Sequence, residues 1–248
     1  LIVFSDISKL KTLEKMREDF IGNVSHELRT PISVIKANSE TLLSTKLIKD
    51  ENAINFTKAI QSQSERMATI VNELLSISSM ESGDYPISLD KLNIKNIVDS
   101  AIKELNPTTE SSNIKLVNKI SDITHIIGDE SAIKIIISNY ITNAIKHSPD
   151  DEIIEIDNEK IDKDFCRIKV IDNGIGIAKK YRERVFERFF RVDKGRSKKI
   201  GGTGLGLSIS KNLALMMGYS VGVESNEPKG SIFYIDVKIH QETSKEVA

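Results

Sequence analysis

The 248 residues carry 35 Lys and Arg against 36 Asp and Glu, a formal net charge of −1, with 39% hydrophobic and 29% charged residues. That balance excludes a disordered chain, and 13 Gly with 5 Pro exclude a collagenous or low-complexity one. A single cysteine, Cys166, excludes an intramolecular disulfide and a cysteine-cluster zinc site, and no apolar run approaches the roughly 18 residues of a membrane-spanning helix.

The chain begins at Leu1, as expected of a piece of a longer gene product, and Leu1-Ile2-Val3-Phe4 predicts a closing strand that runs into a helix cap at Ser5-Asp6-Ile7-Ser8. From Ser8 onward Leu10, Leu13, Phe20, Val24, Leu28, Ile32 and Ile35 recur at threes and fours, which predicts one long amphipathic helix. The polar stretch Ser44 to Asn55 separates it from a second series, Phe56, Ile60, Gln63, Met67, Ile70, Leu74 and Ile77. Two such helices form a hairpin that buries a stripe on one side only. Pairing two hairpins into a four-helix bundle covers the remainder, so a homodimer is expected.

After Ser82-Gly83-Asp84-Tyr85-Pro86 the pattern changes. Short strand-like runs at Ile114 to Ile120, Ile153 to Ile156, Phe165 to Ile171 and Ser231 to Val237 alternate with helical stretches at Ile94 to Leu105, Glu130 to His147 and Leu207 to Met217. The strands lack a strict strand-helix-strand rhythm, so the expected fold is α+β, with a mixed sheet covered by helices on one face. Cys166, between Phe165 and Arg167, reads as a buried strand thiol in a reducing cytoplasm.

In the first helix, His26 lies between Val24 and Leu28 and off their stripe, five residues before Pro31. Pro31 has no N–H for the Glu27 carbonyl, so the helix is expected to kink or loosen beside His26 and to expose His, Glu, Arg and Thr on one turn. An exposed imidazole is a nucleophile when a carboxylate fixes its tautomer.

Asn139, Asn143, Lys146 and His147 share one face of a predicted helix by their spacing. Amide oxygens are hard ligands for Mg²⁺ and a lysine neutralises phosphate, so that face suits a metal nucleotide. Asp172-Asn173-Gly174-Ile175-Gly176 follows an apolar strand; its glycines admit a flat ligand and its carboxylate accepts a base's exocyclic amine. Gly201-Gly202-Thr203-Gly204-Leu205-Gly206-Leu207 opens a helix and offers backbone N–H groups to phosphate, although it is neither a Walker A loop nor a dinucleotide fingerprint. Between these two loops, Lys179 to Lys199 holds ten Lys or Arg against Glu183, Glu187 and Asp193, a cationic flap with Arg191 best placed to meet a triphosphate. Nucleic acid is the lesser reading of that charge because it falls between two nucleotide motifs.

Ser25-His26-Glu27-Leu28-Arg29-Thr30-Pro31, Asn139 to His147, Asp172 to Gly176, Phe186-Glu187-Arg188-Phe189-Phe190-Arg191 and Gly202-Thr203-Gly204-Leu205-Gly206 resemble the five ordered boxes of bacterial two-component sensor histidine kinases. Met16-Arg17-Glu18-Asp19-Phe20 is most similar to the phosphate-responsive and cell-wall-responsive members. The resemblance implies a long helical hairpin forming a dimeric four-helix bundle, then an α/β sandwich ATP-binding domain of the histidine kinase, gyrase and Hsp90 type. It implies residues 1–8 as the end of an upstream sensor or linker, 9–83 as the dimerisation and histidine-phosphotransfer domain, 84–90 as a linker, 91–240 as the ATP-binding domain and 241–248 as a tail.

By the same resemblance His26 is the phosphoacceptor, and Glu27 orients it and takes its proton. Asn143 ligates Mg²⁺, while Asn139 and Lys146 serve the metal and phosphate region. Asp172, with Gly174 and Gly176, holds adenine; Arg191 and the Gly202, Thr203, Gly204, Leu205 and Gly206 loop hold the phosphates of ATP. His147 stands where the family commonly has tyrosine. The Glu27-Leu28-Arg29-Thr30 pattern implies a phosphatase mode in which Thr30 helps place a water. The implied partners are a second copy of the chain and a response regulator that receives the phosphoryl group on an aspartate. The fragment itself is expected in the cytoplasm, with the full-length protein in the bacterial cell membrane through a missing N-terminal part. A nucleotide-binding scaffold without phosphoryl transfer is the competing class; its mark is loss of His26 or Asn143, and both are present.

Overall fold

The computed structural model describes residues 8–44, 50–109, 112–121, 125–192 and 202–241, with the side chains of 8–19, 26, 43, 44, 50 and 51 outside the described set. The expected opening strand therefore lies outside the described residues, as do 193–201 of the cationic flap and its flanking loop. The chain divides into two compact units, one up to Leu75 and the other from Ser76.

The first unit holds helix α1 (Ser8–Ser44) and most of helix α2 (Asp50–Ser82). α2 starts earlier than the apolar series suggests, so Asp50 to Asn55 is helix rather than connection. Its first residues, Asp50 and Glu51, are acidic, which suits the positive end of a helix dipole. α1 runs unbroken through Pro31, which is buried. The proline removes one backbone bond, and that loss does not end the helix where the turns on either side keep theirs. In α2 the predicted inward series holds: Ile70 and Ile77 are buried and Phe56, Ile60, Met67 and Leu74 are half-buried. Large apolar side chains nonetheless remain open on this unit, with Ile21 55%, Ile32 50%, Ile54 53% and Leu75 63% exposed. A two-helix unit has too little surface to cover all of its apolar positions from within.

The second unit is α+β as expected. Strands β1 (Asp90–Asn93) and β3 (His125–Gly128) form an antiparallel pair. Strands β2 (Lys115–Asn118), β4 (Ile153–Lys160), β5 (Phe165–Asp172), β6 (Ser220–Ser225) and β7 (Ser231–Lys238) form a sheet in the order β2-β4-β5-β7-β6. β2 pairs parallel with β4 and the other pairs are antiparallel, which gives the mixed sheet. Along β5 and β7 every second residue is buried, so one sheet face carries Cys166, Ile168, Val170, Phe233, Ile235 and Val237 into the core. Burial and nearby Asp236 push the Cys166 thiol up to about 11, so it stays protonated at neutral pH, in keeping with a packing role.

Helices α3 (Ile94–Thr109), α4 (Glu130–His147) and α5 (Gly206–Met216) complete the unit, with two single 3₁₀ turns at Lys179–Tyr181 and Arg184–Phe186. α4 is the central helix. Asp129 caps it by accepting from the Ala132 N–H at 2.8 Å, and its other oxygen accepts from the Ser88 N–H at 2.9 Å, tying residues before β1 to the start of the helix. Ile133, Ile136, Ile137, Tyr140, Ile141 and Ala144 form its buried stripe. Fully burying each isoleucine contributes about 1.5–3 kcal/mol, which fixes the rotation of α4 and turns its polar face outward.

Candidate functional site

That polar face carries Asn139, Asn143 and Lys146, all half-buried, and the exposed His147. Three segments meet it. The first is the end of β5, where Asp172 is buried at the close of an alternating apolar strand. Its Oδ1 accepts from the backbone N–H groups of Gly174 at 2.8 Å and Ser231 at 3.1 Å. Oδ2 accepts nothing from the described residues, which leaves one oriented acceptor for a ligand amine. Burial raises the carboxyl above its ordinary value, and the two N–H bonds oppose that rise. Gly174 is required by close approach, since a Cβ there would collide with the His147 carbonyl oxygen at the end of α4. Gly176 lies two residues further on, beside Gly230 of the turn before β7.

The second segment is the phosphate-type loop before α5. A Cβ built on Gly202 would stand 3.5 Å from Arg191 Nη2 and 3.6 Å from Lys146 Nζ, so two cations from different segments converge on this loop. Arg191 also donates to the Gly202 carbonyl. Thr203 Oγ1 accepts from the Leu205 N–H at 3.2 Å, the Leu205 side chain is fully buried, and Gly206 is the first residue of α5. Thr203 and Leu205 thus shape the loop, and the start of α5 brings the positive end of a helix dipole to it, which favours an anion.

The third segment is Phe186 to Arg191. Phe189 has φ 59°, and its N–H donates to the Gly204 carbonyl at 2.9 Å. Gly204 has φ 77°, and a Cβ there would stand 2.9 Å from Phe189 Cα, so glycine is demanded twice over. Arg188 pairs with Glu81, within the same unit.

In the first unit, His26 and Glu27 are neighbours on α1, and Thr30 is exposed one turn further on. The His26 side chain lies outside the described set. Glu27 is bonded across to α2, its Oε2 accepting from Arg66 Nη2 at 2.9 Å. Sequence reasoning missed Arg66, Ser231 and Asn226, whose Nδ2 donates to the Asp172 carbonyl at 2.9 Å. It assigned Asn139 to metal and phosphate without its packing role: Asn139 Nδ2 donates to the Gly206 carbonyl at 2.9 Å and to Ser210 Oγ at 3.1 Å. No helix among the described residues is long and apolar enough to cross a membrane.

Two family profiles match the chain. The His Kinase A (phospho-acceptor) domain covers residues 16–83, and the Histidine kinase-, DNA gyrase B-, and HSP90-like ATPase covers residues 128–241. The sensor-like histidine kinase SenX3 of Mycolicibacterium smegmatis is 34% identical over 96% of this chain and 61% of its own length. The sensor histidine kinase WalK of Bacillus subtilis is 34% identical over 98% of this chain and 40% of its own length. The chain thus spans about three-fifths or less of these curated relatives. Among solved structures, histidine kinase ThkA in complex with response regulator protein TrrA superposes with a TM-score of 0.71 at 20% identity, over 96% of this chain and 68% of that one, which shows the shared fold. A phosphoacceptor-type helical domain followed by a nucleotide-binding α/β domain, with both profiles in that order, makes this chain a member of the two-component sensor histidine kinase family, carrying its phosphoacceptor and ATPase-type domains.

Proposed function

We propose that the chain transfers the γ-phosphoryl group of ATP to His26 and then to an aspartate of a response regulator. The observation that carries this reading is the convergence of Lys146 and Arg191 on the Gly202 loop, in the same unit as a buried Asp172 that keeps one carboxylate oxygen for a ligand. Adenine gives its exocyclic N–H to Asp172, and the triphosphate takes Lys146, Arg191 and the N–H groups of the Gly202 to Gly206 loop. Asn143, with Asn139 beside it, supplies amide oxygens suited to Mg²⁺. The metal's contribution is to neutralise phosphate charge as the terminal bond breaks.

In the transfer a ring nitrogen of His26 forms a bond to the γ-phosphorus while the bond to the ADP oxygen breaks. Glu27 takes the proton the imidazole loses. Such a reaction depends on positioning and charge neutralisation more than on covalent chemistry from the protein, and these side chains provide both. Residues 9–83 act as the dimerisation and phosphotransfer domain and 91–240 as the ATP-binding domain. The open apolar side chains Ile21, Ile32, Ile54 and Leu75 support a homodimer as the form that covers them. The solved complex of ThkA with TrrA supports a response regulator as acceptor. Thr30, exposed one turn after His26, supports a phosphatase mode toward that regulator.

The test is incubation with Mg²⁺ and ATP labelled at the γ or the α phosphate. Retained γ label that disappears in His26→Ala, with ATP affinity intact, is the expected result; retention of label by that variant contradicts the assignment.

A further inference from the structure

Ser210 is fully buried in α5, where Ile209, Leu213 and Ala214 are also buried. Buried polar groups are held by partners, so its bonds say what it is for. Its Oγ donates to the Gly206 carbonyl at 3.0 Å and accepts from Asn139 Nδ2 at 3.1 Å. Asn139 Nδ2 donates to that same carbonyl at 2.9 Å, closing a triangle between α4 and the first turn of α5.

The triangle determines which way the Asn139 amide points. A hydroxyl has one proton, and that of Ser210 is given to a carbonyl, so only its lone pair faces Asn139. The Gly206 carbonyl also only accepts. The Asn139 atom between two acceptors must therefore be the NH₂ nitrogen, and Oδ1 is left on the opposite arm, where it accepts nothing from the described residues. An amide oxygen favours a cation and repels phosphate oxygens. We propose that Ser210 is a positioning residue that holds Asn139 with its carbonyl oxygen toward the Mg²⁺ of the bound nucleotide and thereby links metal binding to the α5 end of the phosphate loop. This rests on the nucleotide reading given above.

Without Ser210 the NH₂ loses one of its two acceptors, and the preference against an amide flip weakens. The experiment measures ATP affinity by calorimetry with Mg²⁺ and with EDTA, together with thermal unfolding of the free protein. In Ser210→Ala the gain in affinity that Mg²⁺ confers is expected to fall about five- to tenfold, with EDTA affinity and unfolding temperature close to wild type. Ser210→Cys, with a poor acceptor of similar shape, is expected to show a loss in the same direction. Because Ser210 acts through Asn139, adding Ser210→Ala to Asn139→Ala is expected to change nothing further. Equal losses with and without Mg²⁺, no loss in either, or effects that multiply in the double variant overturn the proposal. If Asn139→Ala leaves the Mg²⁺ gain intact while Asn143→Ala removes it, the role of Ser210 falls and the nucleotide reading stands. If the wild type binds no ATP under either condition, both fall.

Discussion

Arg66 on α2 donates from Nη2 to Glu27 Oε2 on α1 at 2.9 Å, with 28% and 26% of their side chains exposed. One oxygen of the carboxylate that follows His26 is thus committed to a guanidinium, and the direction of the other is set by that bond. The Arg66 Nε–H is buried and finds no acceptor among the described residues, so the pair is not optimised for stability. Orientation of Glu27 is the benefit that remains.

Arg66→Ala is therefore expected to slow phosphoryl transfer to His26 by about tenfold or more, toward the range lost with a general base, while ATP affinity is preserved. Single-turnover labelling at saturating ATP measures this directly. Wild-type transfer in the variant would remove Glu27 orientation from the account.

Asp172 gives a pH dependence of defined sign. Burial raises its carboxyl, so the folded protein keeps this proton to a higher pH than the unfolded chain does. The group's contribution to stability is fully present below the unfolded carboxyl value of about 3.9 and is lost as pH rises through the folded value. Nucleotide binding runs the other way, because Oδ2 accepts the adenine amine as a carboxylate. ATP affinity should weaken on acidification, at a higher pH than an unperturbed aspartate would give. Asp172→Asn should abolish that dependence, reduce affinity by about tenfold or more and leave thermal stability at neutral pH equal or higher. A titration unchanged by the substitution contradicts the adenine role.

Lys146 and Arg191 make a prediction that separates phosphate from base recognition. Lys146→Ala and Arg191→Ala should each weaken ATP binding by about tenfold or more while adenosine binding changes by less than about twofold, since a charged hydrogen bond is worth roughly 1.5–3 kcal/mol. Competition binding with the two ligands reads this. Parallel losses for ATP and adenosine would mean that the cations act on the fold of the loop.

Gly204→Ala forces a side chain into a left-handed backbone and against Phe189. The cost is about 1 kcal/mol or more, concentrated at the loop. Both the unfolding temperature and ATP affinity should fall, and binding by the variant equal to wild type would show that the Phe189–Gly204 bond is dispensable.

The legible parts of this chain were those that rest on local periodicity. Asn139, Asn143 and Lys146 fall on one face because α4 is helical, and Asp172 is recognisable as the buried end of an alternating strand. Arg66, Ser231 and Ser210 meet their partners 39, 59 and 71 residues away in sequence, distances over which no spacing rule applies. β1 and β3 are four residues each and gain their pairing from one another, and β6 contains Gly222, so none carries a strong strand pattern. Helix α1 continues through Pro31 because the turns on either side keep their backbone bonds, which a count of the one missing donor does not include.

The most direct test of the central claim is the chemistry of the phosphorylated residue. The protein is incubated with Mg²⁺ and γ-labelled ATP beside His26→Ala, and the isolated chain is then exposed to acid and to alkali. The account predicts label that is stable in alkali, lost in acid and absent from the variant, as expected of phosphohistidine. Acid-stable label, or equal label on His26→Ala, would contradict it.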